Sequence, residues 1–389
     1  MTNIVILGLA SLLTDVSTEM VYPLLPLFLT QTLGASPAIL GFIEGLAEST
    51  ASLLRVFSGN VSDRLGRRRP LAIAGYAAST IGKILLYLAL NWSTVLAGRL
   101  VDRFGKGIRT APRDALIAES ADPAIRGRAF GLHRAMDTLG ATIGIALAYL
   151  FLRMSPHQYR GIFLWAVVPA VLAVTVLFRV REPAARAHPS QIPPLRWSAL
   201  DRRLRGFLLV IVLFTLGNSS NQFLILRAGS VGVPAANTVL LYLWFNVVYA
   251  IVSYPAGRIS DRVGRRIVLV AGYAVYGLVY LGFGLARGPA AVTLLFPLYG
   301  MSIGLSEGVE KALVADLAPK DLRATAIGLH ATLVGVGLFP ASLLAGWLWT
   351  TFGPAAPFYF GGMLGITAAA ALFLVLRSGP GRAATAPSP

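Results

Sequence analysis

The stretch Gly59-Asn-Val-Ser-Asp-Arg-Leu-Gly-Arg-Arg (59–68) recurs as Gly257-Arg-Ile-Ser-Asp-Arg-Val-Gly-Arg-Arg (257–266), 198 residues later. A second block, Asp114-Ala-Leu-Ile-Ala-Glu (114–119), recurs as Lys311-Ala-Leu-Val-Ala-Asp (311–316), 197 residues later. Two matched blocks in the same order and at a nearly constant offset indicate that one structural unit was duplicated. Internal repeats of this kind are typical of secondary transporters, whose two halves move about a central site.

The composition predicts a membrane protein. Hydrophobic residues make up 56% of the 389 residues and charged residues only 13%, against about 25% charged residues in an ordinary soluble domain. The net charge of +17 would suggest nucleic-acid binding in a soluble chain, but the low charged fraction argues against that partner. The chain has no cysteine, which excludes disulfides and thiolate metal sites. No metal ligand set and no cofactor is expected.

Twelve segments are long and apolar enough to span a bilayer, since a spanning helix needs about 20 such residues. The predicted helices 1 to 12 are 4–30, 38–58, 70–90, 93–118, 127–152, 161–179, 206–226, 236–256, 267–286, 290–317, 324–349 and 357–377. They predict an all-α integral membrane protein made of two pseudo-symmetric six-helix bundles. The expected domains are a first bundle at 1–178, a linker at 179–205, a second bundle at 206–377 and a disordered tail at 378–389.

The basic residues predict the orientation in the membrane. Of the 34 Lys and Arg, 21 lie in the tail or in loops after even-numbered helices, and only Arg153, Arg160, Arg227 and Arg287 lie in the other loops. Basic loops stay in the cytoplasm. Both termini and the linker are therefore expected to be cytoplasmic, and the chain is expected in the bacterial inner membrane, as a monomer.

The repeated Gly-x-x-x-Asp-Arg-x-Gly-Arg-Arg loop resembles the signature loop of the major facilitator superfamily. Arg103-Phe-Gly-Lys106-Gly107 in helix 4 resembles a second signature found in proton-coupled members, with Lys in place of Gln. The resemblance covers roughly residues 4–377 and implies that helices 1, 4, 7 and 10 line a central cavity. The antiporter signature of helix 5 is half present, because Gly140-x-x-x-Gly144 is followed by Ile145 rather than proline.

Ionisable residues inside the predicted helices are the strongest functional signal. Each would cost roughly 2.5–3.5 kcal/mol at the bilayer centre, so these residues should pair with one another or face water. Counting 1.5 Å per residue places Asp15, Glu48 and Arg103 in one layer, and Glu19, Glu44 and Arg99 in a second layer nearer the outside. The residues expected to take part in proton coupling are Asp15, Glu19, Glu44, Glu48, Arg99, Arg103 and Lys106.

The layer of Asp15, Glu48 and Arg103 is interpreted as a proton-responsive centre. Two neighbouring carboxylates favour the protonated form of one of them, and a nearby arginine favours the ionised form. A carboxylate balanced in this way could exchange a proton as the cavity faces one side and then the other. The alternative is a static ion-pair network that fixes helix packing.

The second half has uncharged polar residues at the equivalent depth. They are expected to orient the substrate, so that the first half handles protons and the second half the solute. The alternative is that they pack the helices together, as polar residues in membranes also do. The predicted substrate-binding residues are Asn218, Asn221, Gln222, Tyr242, Asn246 and Tyr249.

Two sets of charged residues are expected to form gates on the cytoplasmic side. In the repeated loop, Asp63 and Asp261 each follow a glycine taken to end a helix, and the latch would also use Arg64, Arg67, Arg262 and Arg265. The alternative is a solvated basic loop that fixes topology. The repeat also aligns Arg113-Asp114 with Glu310-Lys311, a charge inversion. These pairs could meet across the halves when the cavity closes, or could pair within each half.

Together these features predict a transporter rather than an enzyme, since the sequence holds no zinc-protease or ATP-binding motif. The expected function is alternating-access transport of a small solute, as proton-coupled export of a small organic or drug-like compound. Proton-coupled uptake of a metabolite or a metal chelate is one alternative. A non-transporting sensor is another, although matched latches in both halves argue against a static receptor.

Overall fold

The computed structural model describes residues 2–65, 67–122, 125–182, 200–319 and 322–376, without the side chains of residues 60, 63–65 and 324. Within these ranges the regular structure is helical throughout and forms twelve long segments. In chain order they are α1 (Thr2–Val21, continued by irregular turns to Thr32), α2 (Pro37–Leu65), α3 (Arg69–Tyr87), α4 (Trp92–Ser120), α5 (Arg126–Met154), α6 (Tyr159–Leu177), α7 (Arg202–Gly217 and Gln222–Ser230), α8 (Ala235–Val263), α9 (Arg265–Leu285), α10 (Pro289–Leu317), α11 (Arg323–Phe352) and α12 (Ala356–Val375).

Ten of these helices are long and apolar enough to cross a membrane. The other two, α2 and α4, have 29 residues each and hold most of the ionisable residues singled out in the first half. A 29-residue helix is about 43 Å long, which exceeds the hydrocarbon core of about 30 Å. The fold is the twelve-helix, all-α membrane fold that the sequence predicts.

Contacts within each half are more extensive than contacts between the halves. In the first half α1 packs on α5 and α6, and α4 packs between α2 and α3. In the second half α8 packs on α10, and α9 packs on α10 and α12. The halves meet mainly where α2 packs on α11 and α5 packs on α8. Of the predicted linker and tail, residues 183–199 and 377–389 lie outside the described part of the chain.

The contact between α2 and α11 closes the side of the bundle opposite the two termini. A Cβ at Gly41 would overlap the carbonyl oxygen of Ser342, and one at Gly346 would lie 2.6 Å from that of Pro37. Small residues at such positions let two helices approach closely within a membrane. These residues lie where α2 begins and where α11 ends, so the halves are in tight contact on that side.

Two helices are interrupted at polar or proline-containing stretches. Pro23 and Pro26 lie where α1 passes through a 3₁₀ turn and then a wide π turn. Helix α7 breaks at 218–221, where the backbone N–H of Ser220 donates to the Oγ of Ser342 at 3.1 Å. Interrupted backbone at membrane depth is tolerated where it is buried in protein or lines a cavity.

The repeated signature does not have the local structure predicted for it. Gly59 and Gly257 were expected to end helices, but α2 continues to Leu65 and α8 to Val263. The prediction was wrong because glycine weakens a helix without having to end it, at a cost of about 1 kcal/mol relative to alanine. In the second copy the helix ends at Gly264, whose φ of 96° favours glycine.

Candidate functional site

A buried ion pair joins α2 to α4 at the centre of the first half. The Nε and Nη2 atoms of Arg99 donate to the two carboxylate oxygens of Glu44, each at 2.7 Å. Glu44 is fully buried and Arg99 is 2% exposed. This bidentate geometry requires the planar guanidinium of arginine, and a lysine could not form it. The structure thus brings together two of the three residues predicted for the outer layer.

Glu48 lies one turn further along α2 and pairs with Arg103 of α4. Its Oε1 atom is 3.0 Å from the Nε of Arg103 and 3.8 Å from Arg99. The side chain of Glu48 is 26% exposed, whereas those of Arg99 and Arg103 are 3% and 4% exposed. Glu48 therefore connects the buried charges to the cavity described below.

A third pair, between Lys83 and Asp102, completes this charge cluster of the first half. Lys83 Nζ lies 3.4 Å from Asp102 Oδ1, and both side chains are buried. Asp102 is also 3.6 Å from Arg99 and 3.9 Å from Arg103. The sequence analysis did not single out Lys83, although a lone lysine inside an apolar helix was a usable signal. We call Lys83, Glu44, Glu48, Arg99, Asp102 and Arg103 the charge cluster.

Asp15 and Glu19 of α1 do not join this cluster as predicted. Among the described ion pairs, Arg103 pairs with Glu48 and Asp102, and neither Asp15 nor Glu19 belongs to any. The Oε2 atom of Glu19 is buried without a hydrogen-bond partner. Depth was estimated correctly enough to pair α2 with α4, but depth alone does not specify which face of α1 carries each carboxylate.

The central cavity has a volume of about 580 Å³ and lies between the two halves. Helices α2, α4, α7, α10 and α11 all contribute to its lining, and among the described lining residues none belongs to α1. Most of the lining residues lie in the half of their helix nearer the termini, so the cavity extends towards that side, while Glu48, Asn221 and Tyr299 reach past the middle of their helices. Its charged or polar lining residues include Glu48, Ser52, Arg55, Lys106, Asn218, Asn221, Glu307, Glu310, Lys311 and His330.

Two of the predicted substrate residues line this cavity. Asn218 and Asn221 are the first and last residues of the break in α7, and the hydroxyl of Tyr299 donates to Asn221 Oδ1 at 2.7 Å. Gln222 is fully buried, and neither its Oε1 nor its Nε2 has a hydrogen-bond partner. Tyr242 is 6% exposed and its ring centroid is 5.8 Å from that of Tyr22.

The other two predicted substrate residues line a second cavity, of about 460 Å³, where α5 meets α8. We call it the lateral crevice. Asn246 and Tyr249 belong to its lining, and so does Asp15 from α1. The hydroxyl of Tyr249 donates to Glu307 Oε2 at 2.6 Å, and Glu307 lines the central cavity. Four of the six predicted substrate residues are therefore distributed between two adjacent cavities, while Gln222 and Tyr242 are not among the described lining residues of either.

Both copies of the repeated signature form ion pairs at the termini side, although through arginines at non-equivalent positions of the repeat. In the second half Arg265 is 2.5 Å from Asp261 and 3.2 Å from Asp316 of α10. In the first half Arg68 is 3.0 Å from Glu119 of α4, the equivalent of Asp316 in the repeat. Among the other predicted latch residues, Arg67 and Arg262 are exposed, and the side chains of Asp63 and Arg64 lie outside the described part.

The inverted charge pairs bond within each half in this conformation. Arg113 is 2.8 Å from its neighbour Asp114, and Lys311 is 2.8 Å from Glu307 one turn earlier. Glu310 accepts a hydrogen bond from the Tyr273 hydroxyl at 2.9 Å. It is also 3.3 Å from His330, which the sequence analysis did not select. Because the cavity extends towards this side, pairing across the halves in the closed state stays a prediction.

Comparison with known proteins identifies the family. The Major Facilitator Superfamily profile matches residues 7–228 and 207–389. An uncharacterized MFS-type transporter of Methanocaldococcus jannaschii is 38% identical over 383 residues, covering 96% of this chain and 94% of the relative. The multidrug resistance protein MdtH of Proteus mirabilis is 26% identical over 345 residues, and the match covers 85% of this chain and 82% of MdtH.

Solved structures show the same fold at low sequence identity. The nucleoside transporter NupG superposes with a TM-score of 0.80 at 13% identity, covering 97% of this chain and all of the other. A bacterial homolog of the human lysosomal transporter Spinster, in an inward-facing and occupied conformation, gives 0.75 at 17% identity, with 96% of each chain covered. With the repeated signature, the twelve helices and the central cavity, these matches show that the chain belongs to the Major Facilitator Superfamily and is a membrane transporter, not an enzyme.

Proposed function

We propose that the chain exports small organic or drug-like compounds and couples this export to protons. The observation that carries the proposal is the position of Glu48. Among the described residues it is the one carboxylate that belongs to the buried charge cluster and also lines the central cavity. A proton can reach it from the cavity, and its ion pair with Arg103 links protonation to the contact between α2 and α4.

The mechanism follows from the ion pair between Glu48 and Arg103. An ionised Glu48 holds Arg103 at 3.0 Å, whereas a neutral Glu48 leaves that guanidinium, among the described ion pairs, with Asp102, 3.9 Å away. Breaking a buried pair is costly, so protonation favours a rearrangement of α4 against α2. Since α2 also packs on α11 of the other half, that rearrangement can alter how the halves meet.

The wall of the cavity formed by the second half suits an organic solute. Asn218 and Asn221 supply uncharged hydrogen-bonding groups, while Phe214, Ile303 and Leu338 supply apolar surface. Ligand sites usually combine a largely apolar lining with a few polar groups that fix orientation. MdtH relatives carry the name multidrug resistance protein, which supports the proposed export of such compounds.

The decisive experiment is transport in proteoliposomes with an imposed pH gradient. Vesicles preloaded with a fluorescent organic cation such as ethidium should empty faster when protons can flow inwards through the protein as the solute leaves. Reversing the gradient should slow the exit. A rate of solute exit that is the same with and without the pH gradient would contradict proton coupling. Accumulation of solute in the direction of proton flow would favour uptake instead.

We further propose that the protein acts as a monomer in the bacterial inner membrane, with both termini in the cytoplasm. The support is the excess of basic residues on the termini side, which the positive-inside rule assigns to the cytoplasm. The natural chain has no cysteine, so a maleimide reagent labels only a cysteine that is introduced by mutation. An exposed cysteine at Arg67 should react with an impermeant maleimide only in opened cells, and one at His157 also in intact cells.

The inverted charges are proposed to close the cytoplasmic side by pairing Arg113 with Glu310 and Asp114 with Lys311. Arg113→Glu should reduce transport severalfold, because two acidic side chains would then meet in the closed state. Adding Glu310→Arg should restore much of the rate. If the double variant is no faster than Arg113→Glu alone, the two residues do not meet in the transport cycle.

A further inference from the structure

A basic pocket lies where α7 begins and α12 ends, on the side of the termini. Its volume is about 840 Å³, which is within the range of ligand sites. Arg202, Arg203 and Arg205 line it from the start of α7, and Leu374 lines it from the end of α12. We call it the arginine pocket. It shares no described lining residue with the central cavity or the lateral crevice, so it is a separate space.

The arginine pocket has a charged end and an apolar end. Leu209 and Leu374 line it and are each 62% exposed. Large apolar side chains exposed on membrane-spanning helices contact lipid chains. Leu209 follows Arg202 by two turns of α7, about 10 Å along the helix axis. A ligand that occupied the whole pocket would therefore need a polar head beside the arginines and an apolar chain beside the leucines.

The charged end carries an excess of positive charge. Among the described lining residues, three guanidinium groups accompany one carboxylate, that of Asp201. This carboxylate already accepts the backbone N–H of Arg203 at 2.7 Å and so caps α7. The Nε atom of Arg205 is buried without a hydrogen-bond partner, although buried polar groups are normally hydrogen-bonded. Arginine is well suited to phosphate, because its planar guanidinium offers paired N–H groups.

The first copy of the repeat has aliphatic residues in place of these arginines. At the offset of 198 residues, Arg202 and Arg205 align with Ile4 and Leu7 of α1. Ile4 and Leu7 are fully buried and belong to one core cluster with Leu177 of α6. Because α1 and α6 are the first-half counterparts of α7 and α12, the fold can be built at this place without any charge. Helix packing therefore does not require the arginines, which favours a binding role.

We propose that the arginine pocket binds an anionic phospholipid, with the phosphate at Arg202 and Arg205 and an acyl chain along Leu209 and Leu374. Basic pockets between membrane-spanning helices bind lipid head groups of this charge. Since α7 and α12 are the first and last helices of the second half, the bound lipid would hold the two ends of that half together. The proposal goes beyond the proposed export and does not depend on which solute is carried.

The test is native mass spectrometry of the full-length protein in detergent, which counts bound lipid molecules directly. Phosphatidylglycerol is the anionic probe, and phosphatidylcholine with the same acyl chains is the zwitterionic comparison. The natural protein is expected to bind the first phosphatidylglycerol about ten-fold more tightly than phosphatidylcholine. The double variant Arg202→Gln with Arg205→Gln should remove that preference, because the phosphate would lose both of its charged partners.

A second variant and a matched control complete the comparison. Arg202→Glu reverses one charge at an exposed position, so it leaves folding intact and should also remove the preference. The control, Arg179→Gln with Arg181→Gln, removes two exposed arginines just beyond the end of α6 on the same side and should keep the preference. Equal affinity of the natural protein for the two lipids, a preference that survives either pocket variant, or its loss in the control would overturn the proposal.

Soluble glycerol phosphate distinguishes a lipid from a free phosphate, because it carries the same charged group without acyl chains. It is expected to leave phosphatidylglycerol bound when both are present at equal concentration. If glycerol phosphate displaces the lipid under these conditions, the pocket binds the phosphate group alone and the assignment to a phospholipid is wrong.

Discussion

Glu48→Gln is expected to abolish gradient-driven transport in proteoliposomes, reducing it to the rate of vesicles without protein. Glutamine keeps the size of the side chain but cannot gain or lose a proton. The contact with Arg103 can therefore no longer be broken by a proton that arrives from the cavity. Exchange of labelled for unlabelled solute at equal pH needs no net proton movement and should persist. The predicted change is thus a loss of coupling rather than a loss of binding.

The matched control for this experiment is Ser52→Ala, one turn along α2 and lining the same cavity. Its side chain carries no charge, so its gradient-driven transport should stay close to that of the natural protein. If Glu48→Gln keeps full gradient-driven transport, Glu48 is not the coupling residue. If Glu48→Gln loses both gradient-driven transport and equal-pH exchange, the role of Glu48 is structural, as the alternative of a static ion-pair network holds.

The fold could be predicted from the sequence because its signals are long and repeated. Twelve apolar segments are each read over about 20 residues, and the copy of 59–68 at 257–266 gives an independent check on the boundary between the halves. The local backbone geometry of the helices was harder to predict from the sequence. The signature glycines Gly59 and Gly257 lie inside helices, and the break in α7 falls within a polar run that composition alone could not distinguish from a continuous helix.

The candidate site was predicted in part, and the physical reason is helix rotation. Counting residues gives depth, which correctly grouped Glu44 with Arg99 and Glu48 with Arg103. It does not give the direction of a side chain around the helix axis, so Asp15 was assigned to the charge cluster although it lines the lateral crevice. The same uncertainty concealed the partner of Lys83, because its pairing with Asp102 is set by the packing of α3 against α4.

The second large effect concerns stability. Arg99→Leu is expected to lower the free energy of unfolding by about 3–5 kcal/mol, the range observed when one partner of a buried ion pair is removed. The fully buried Glu44 would lose both of its 2.7 Å bonds, and Asp102 and Glu48 would lose a neighbouring positive charge. Against a typical total of about 5–15 kcal/mol, this is a large fraction of the stability of the protein.

The measurement is thermal or denaturant unfolding of the purified protein in detergent, with two comparisons. Arg153→Leu removes an exposed arginine at the end of α5 and should change stability by no more than about 0.5 kcal/mol. The double variant Glu44→Leu with Arg99→Leu should recover much of the loss, because replacing both partners of a buried pair removes the stranded charge. Recovery will be incomplete, since Asp102 and Glu48 still lack Arg99. If Arg99→Leu is as stable as Arg153→Leu, the ion pair contributes nothing to folding and its retention must be explained by transport alone.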